Sequence, residues 1–275
     1  RGQAAFCPPG MRPVRAGLFT FFPRGSTMKR LLACLLGVAL ACSLSSAASA
    51  KTYVNGIDAN YPPFSFVGED GNPTGFDIEA MNWIAAKMGF EVKHQPMDWD
   101  GIIPALLAGK IDMVCSGMSI SPERAAQVAF SDPYYTISKL IVVKDDSDMS
   151  AEQALNGKIR LGVQRGTNEH AYLEQMQQDR KLPFTLRPYD SPPMAIADLL
   201  NGRIDAAALD SAPVNNAIAM GRKIKSVGTF APDDNFGVAI RKDDAELLKT
   251  VNEGYRQLKA DPFWKELQDK YLSQK

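Results

Sequence analysis

Ile111-Asp-Met-Val-Cys-Ser-Gly-Met-Ser-Ile-Ser-Pro-Glu-Arg-Ala-Ala-Gln-Val-Ala-Phe-Ser-Asp-Pro-Tyr-Tyr135 changes character twice within its first fourteen residues. Ile111 to Cys115 reads as a short apolar strand. The backbone then turns small and polar at Ser116, Gly117 and Ser119. Ser121-Pro122-Glu123-Arg124 reads as a helix start, with Ser as N-cap and Pro at the first helical position. Arg124 thus falls in the first turn, beside free backbone N–H groups, where the helix dipole disfavours a cation. A bound anion that engages the guanidinium fork and the neighbouring N–H groups removes that conflict.

The front of this stretch has an echo. Leu106-Leu-Ala-Gly-Lys-Ile-Asp-Met-Val-Cys115 resembles Leu199-Leu-Asn-Gly-Arg-Ile-Asp-Ala-Ala-Ala208: helix, glycine stop, basic residue, Ile-Asp, apolar strand. One unit used twice predicts two similar α/β lobes. Around the two copies, strands are predicted over 51–57, 90–94, 140–143, 159–163, 184–189, 204–209, 225–230 and 236–240. Helices are predicted over 76–88, 101–108, 193–200, 212–220, 244–259 and 262–272. Such alternation makes a mostly parallel sheet in each lobe. Ligands bind such sheets at the carboxyl ends of the strands. Asp58, Ser116, Gln164 and Asp210 all fall at those ends. Asp112 and Asp205, after the echoed isoleucines, read as caps of strand starts rather than ligand contacts.

Composition narrows the function. The 275 residues carry 31 basic and 31 acidic side chains. Residues 1–50 hold six of the basic ones and no acid, which leaves 25 basic against 31 acidic in 51–275, a net of −6. An acidic body argues against nucleic acid. Met28-Lys29-Arg30, the apolar run Leu31 to Leu44 and Ala48-Ser49-Ala50 read as a signal peptide over 28–50 with its cleavage site. Residues 1–27 read as upstream or non-native sequence. Export to the periplasm is expected, with a lipid anchor at Cys42 as the less favoured alternative. Cys115 is then the one cysteine of the exported body and reads as a core residue. His94 and His170 lack metal-ligand spacing, so no metal, cofactor or catalytic residue is expected.

The cleft residues suit a zwitterion. Arg124 can fork onto a carboxylate, and Asp210, from the other lobe, can take an ammonium. Tyr61 and Trp99, in strand-end loops, can clamp a side chain between rings. Asp58, beside Tyr61, can accept from a distal polar group.

Gly75-Phe-Asp-Ile-Glu-Ala-Met, Asp98-Trp-Asp-Gly-Ile-Ile-Pro-Ala-Leu, Met118-Ser-Ile-Ser-Pro-Glu-Arg, Phe130-Ser-Asp-Pro-Tyr-Tyr, Gly162-Val-Gln-Arg-Gly-Thr and Gly202-Arg-Ile-Asp-Ala-Ala together resemble the polar amino-acid-binding proteins of bacterial ABC importers, solute-binding family 3. The resemblance spans 51–275. It implies a two-lobed, Venus-flytrap α/β fold of the type II periplasmic-binding-protein class, with two hinge crossover strands. Lobe 1 is expected over about 51–142 plus 236–275 and lobe 2 over about 146–232, with hinges about 140–146 and 232–238.

Carried over position by position, the resemblance implies that Arg124, with Ser119 and the Thr167–Asn168 backbone, holds an α-carboxylate. Asp210, with acceptors near Ser116 or Gly117, holds an α-ammonium. Tyr61 and Trp99 flank the side chain, and Asp58 meets its far end. Met118 and Gln164 complete the expected ligand-binding set. Gly117 stands where lysine/arginine/ornithine binders often carry Ser, and Asn168 where Thr is usual. The expected function is capture of a polar L-amino acid, preferentially arginine, lysine or histidine, for membrane permease subunits of an ABC importer, by a monomer without enzymatic activity. Glutamine is the alternative ligand. A cyclohexadienyl or arogenate dehydratase on the same fold is the alternative class, and a sensing module for another membrane partner is a further rival.

Overall fold

The computed structural model describes residues 50–273. The expected signal peptide, its upstream segment and Cys42 lie outside the described residues. No described helix is long and apolar enough to cross a membrane.

The strands are β1 (Thr52–Ile57), β2 (Asn60–Tyr61), β3 (Ser65–Val67), β4 (Pro73–Thr74), β5 (Glu91–Pro96), β6 (Met113–Val114), β7 (Ala129–Phe130), β8 (Tyr135–Lys144), β9 (Arg160–Gln164), β10 (Thr185–Tyr189), β11 (Ala206–Asp210), β12 (Ile224–Phe236) and β13 (Ala239–Ile240). They build two five-stranded sheets, ordered β5-β1-β6-β13-β7 and β10-β9-β11-β8-β12. The small sheet β2-β3-β4 follows β1 and is not among the strands expected from the sequence.

Each half of the echo lands where the repeat predicts. β6 pairs parallel with β1, and β11 pairs parallel with β9. The aspartates that open them do the same work. Asp112 Oδ2 accepts from Val54 N–H at 2.8 Å, and Asp205 Oδ2 accepts from Arg160 N–H at 2.8 Å. Each also holds a guanidinium, Arg241 on Asp112 and Arg160 on Asp205. Each aspartate therefore fixes the register of its strand against the neighbouring one.

The chain passes from the first sheet to the second between β7 and β8, and returns between β12 and β13. The first crossing falls near residues 131–135, earlier than the hinge expected at about 140–146. The reason is pairing: β8 bonds to β12 from Tyr135 through Lys144, so its whole length belongs to the second sheet. Phe236 likewise ends β12 instead of opening the last strand. Rings collect at the two crossings. Phe64 lies 5.1 Å from Tyr135 and 5.2 Å from Phe236, centroid to centroid. Behind the first sheet, Phe76, Met81, Ile84, Val251, Tyr255 and Leu258 bring the helices Phe76–Met88 and Ala245–Ala260 together as one core. Cys115 is buried in that core, as expected of a lone strand cysteine.

Candidate functional site

The strand ends converge on one cavity. Tyr61, Trp99, Ser116, Gly117, Ser119 and Arg124 reach it from the first-sheet side. Gln164, Thr167, Asn168 and Asp210 reach it from the second. Its free space is about 10 Å³, room for about one water.

Arg124 sits as its sequence context predicts. Ser121 caps the short helix Pro122–Ala125, its side chain accepting from Arg124 N–H. The guanidinium is buried, and burial lowers its pKa from the usual value, offset in part by Glu169, Asp234 and Asp210. It remains cationic at neutral pH. Nη1 donates to Ser119 O at 2.9 Å and Nη2 donates across to Gly166 O at 3.1 Å. The Trp99 ring lies under it, 5.6 Å from guanidinium carbon to centroid.

Two further bonds join the same two sides. Tyr61 Oη donates to Asp210 Oδ2 at 2.5 Å. Gln164 Nε2 donates to Asp58 Oδ2 at 2.8 Å. Gly117 permits the Tyr61 contact: its φ is 60°, and a Cβ there would lie 2.4 Å from the ring. Its N–H donates to Asp77 Oδ2 at 2.6 Å, and Tyr134 Oη donates to the same oxygen at 2.7 Å. Burial nevertheless pushes the Asp77 carboxyl up to about 7.

Two expected contacts sit elsewhere. Met118 is not on the cavity wall; its side chain is buried in an apolar cluster with Ile102, Leu106 and Val128, because the strand-end turn points it into the core. Asp58 is also off the wall. Its Oδ1 closes a local turn by accepting from Asn60 N–H at 2.9 Å, and its Oδ2 meets the cavity through Gln164. Burial pushes its carboxyl up. Ser116 Oγ is engaged with Asp58 N–H and Ser65 Oγ, at 3.0 and 2.7 Å. Thr167 caps the helix Asn168–Arg180 through His170 N–H. Asn168 Nδ2 donates to Asp234 Oδ2 at 3.0 Å.

Sequence reasoning missed two charged side chains. Glu169 lines the cavity, and Lys139 stands behind it. Lys139 Nζ donates to Glu169 Oε1 at 2.5 Å and to Asp210 Oδ1 at 2.7 Å, with Asp234 Oδ2 at 3.0 Å. Burial alone would lower the lysine pKa, but Asp210, Glu169 and Asp234 overcome it and raise the value. Burial also works against ionising Glu169, yet Lys139 outweighs it and takes the carboxyl down to about 2. Asp210 goes the other way, raised well above the carboxylate range by burial and by the charge of Glu169. The two carboxyls are a coupled pair in which Glu169 ionises first and Asp210 keeps the proton.

The model of the bacterial extracellular solute-binding proteins, family 3, matches residues 53–274. The chain belongs to that family. Among curated family members, ABC transporter arginine-binding protein 1 of Escherichia coli K12 is 33% identical over 246 residues, covering 87% of this chain and 99% of its own. The L-cystine-binding protein TcyJ of the same strain is 34% identical over 224 residues, covering 80% and 82%. Among solved structures, an ancestral arginine-binding protein bound to arginine superposes with a TM-score of 0.76 at 35% identity, covering 82% of this chain and 100% of that one. The ancestral amino acid-binding protein AncCDT-1, a precursor of cyclohexadienyl dehydratase, reaches 0.73 at 34% identity, covering 90% and 100%. The two-lobed α/β fold expected from the sequence is therefore the fold of the family.

Proposed function

We propose that this chain is an extracytoplasmic receptor that captures a polar L-amino acid, preferentially one with a cationic side chain, and hands it to the permease of an ABC importer. One observation carries the reading: a buried guanidinium from one sheet and a buried carboxyl from the other face a single cavity, with Tyr61 and Trp99 on its wall. A zwitterion has the two poles that this pair lacks. Arg124 is the carboxylate anchor, with Ser119, Thr167 and Asn168 beside it; Asp210 anchors the ammonium, near Ser116 and Gly117. Asp58 acts on the side chain through Gln164. The named relatives bind arginine and cystine, which agrees with a polar amino acid.

Capture requires motion. A space of about 10 Å³ is too small for an amino acid, so the two lobes, one built on each five-stranded sheet, must part for entry and close on the ligand. The bonds from Tyr61, Gln164 and Arg124 are among those that part, with Lys139 Nζ on Ser119 Oγ at 3.4 Å.

The test is a thermal-shift screen of the mature chain against the common amino acids, since a ligand that binds only the native state raises its apparent stability. A shift with arginine, lysine or histidine larger than with glutamine supports the reading. No shift with any amino acid refutes it. The likeness to a dehydratase precursor and the proton held by Asp210 favour one second reading, general acid catalysis. Incubation with prephenate or arogenate decides it: product formation makes the chain an enzyme.

A further inference from the structure

The pocket holds a carboxylate and an ammonium to which neither the expected contacts nor the relatives' names assign a role. Lys139 lies in the middle of β8 and is 2% exposed. Glu169, in the first turn of its helix, is 4% exposed and lines the cavity beside Asp210. Lys139 does not line the cavity. It reaches both carboxyls from behind, at 2.5 and 2.7 Å.

One ammonium here faces three carboxyl groups, counting Asp234 at 3.0 Å. Arg124, the cation that does line the cavity, donates to the carbonyls of Ser119 and Gly166. One ammonium cannot balance three carboxyls once all are ionised, so the cavity face of the carboxyl pair suits a further cation, whose arrival lets Asp210 give up its proton. A second mark points to a ligand in the same cavity. Trp99, 9% exposed and on its wall, has an indole N–H with no hydrogen-bond partner among the described residues.

We propose that Glu169 and Asp210 together form a two-carboxyl acceptor for the ligand's ammonium, with Lys139 as the positioning residue that holds them side by side. This rests on the amino-acid reading above and deepens it. An ammonium offers three donors. Asp210 alone meets them poorly, because its two oxygens already accept from Tyr61 and Lys139. Glu169 supplies the missing acceptor. Lys139, locked to both, fixes their separation.

The test compares L-arginine with 5-guanidinopentanoate, which is arginine without its α-amino group, by calorimetric titration of the mature chain. Wild type should prefer arginine. Glu169→Gln should weaken arginine by about 10- to 100-fold while leaving the des-amino acid within about twofold, so the preference collapses. Glu169→Asp should restore part of it. Lys139→Met should also shrink the preference, through loss of alignment. A Glu169→Gln protein with an unaltered preference overturns the proposal and leaves the amino-acid reading standing. Tighter arginine binding by Lys139→Met overturns it as well, since the lysine would then be competing with the ligand. A wild type that shifts with none of the common amino acids removes both readings together.

Discussion

Gly117→Ala gives a sharp test of how the site is packed. Gly117 has φ 60°, a left-handed conformation that costs a non-glycine residue about 1–2 kcal/mol. Its added Cβ would also lie 2.4 Å from the Tyr61 ring, with Phe236 at 3.2 Å on another side. The ring must move, and the 2.5 Å bond from Tyr61 to Asp210 goes with it. A hydrogen bond of this kind contributes about 1–3 kcal/mol. The sum is about 2–5 kcal/mol, and a central loss of ~3 kcal/mol lowers Tm by roughly 6–12 °C in a domain of this size. Gly89→Ala is the control. Gly89 has φ 77° at the end of its helix, and a Cβ there meets nothing within 4 Å. It carries the backbone cost alone, roughly 2–8 °C. Melting curves of both variants, followed by circular dichroism, separate the two contributions. A Gly117→Ala protein no less stable than Gly89→Ala would show that the Tyr61 contact does not hold the two sides together.

Further expectations concern charge. Arg124→Ala should weaken amino-acid binding by about 10²- to 10⁴-fold, from two charge-assisted bonds of about 1.5–3 kcal/mol each; Arg124→Lys should recover little, because it lacks the fork. Titration calorimetry reads both, and unchanged affinity would remove the carboxylate anchor. Asp77, raised to about 7 by burial, binds a proton more tightly folded than unfolded, so its contribution to stability falls as pH rises from about 4 to 7. Asp77→Asn should therefore gain on wild type by up to about 4 kcal/mol across that window. Urea melts at pH 5 and pH 8 check this, and a pH-independent difference contradicts it. Asp112→Ala strands Val54 N–H and leaves Arg241 only its carbonyl partners and the exposed Asp243, and should cost about 1–3 kcal/mol in the same assay, while Asp243→Ala, on the exposed side of Arg241, should cost under about 0.5.

The helix Phe76–Met88 was legible because its apolar residues recur at helical spacing and Gly89 ends it. The equivalence of β6 and β11 was legible because the Leu-Leu-x-Gly-basic-Ile-Asp echo fixed two matching strand starts. Arg124 was found through a local conflict, a cation in a first turn. Glu169 broke no such rule. An acid in the first turn after a threonine cap is what any helix favours, so its burial in the cavity left no mark in the sequence. Lys139 did leave one. Ile137, Lys139, Ile141 and Val143 are spaced by two and all buried, and a lysine among inward positions of a strand needs partners. Those partners lie 30, 71 and 95 positions downstream, at Glu169, Asp210 and Asp234. Met118 was misplaced because which way a strand-end side chain points depends on the turn, and residue type does not reveal it.

The rings at Phe64, Tyr134, Tyr135 and Phe236 bear on what a swinging half of this molecule pivots on. Dispersion contacts are individually weak and carry no direction, so the aromatic faces can slide over one another while Tyr134 stays bonded to Asp77. The bonds that latch one side to the other across the cavity sit on Tyr61, Gln164 and Arg124. A pivot of packed rings and a latch across the gap make a jaw whose resting angle is governed by its teeth.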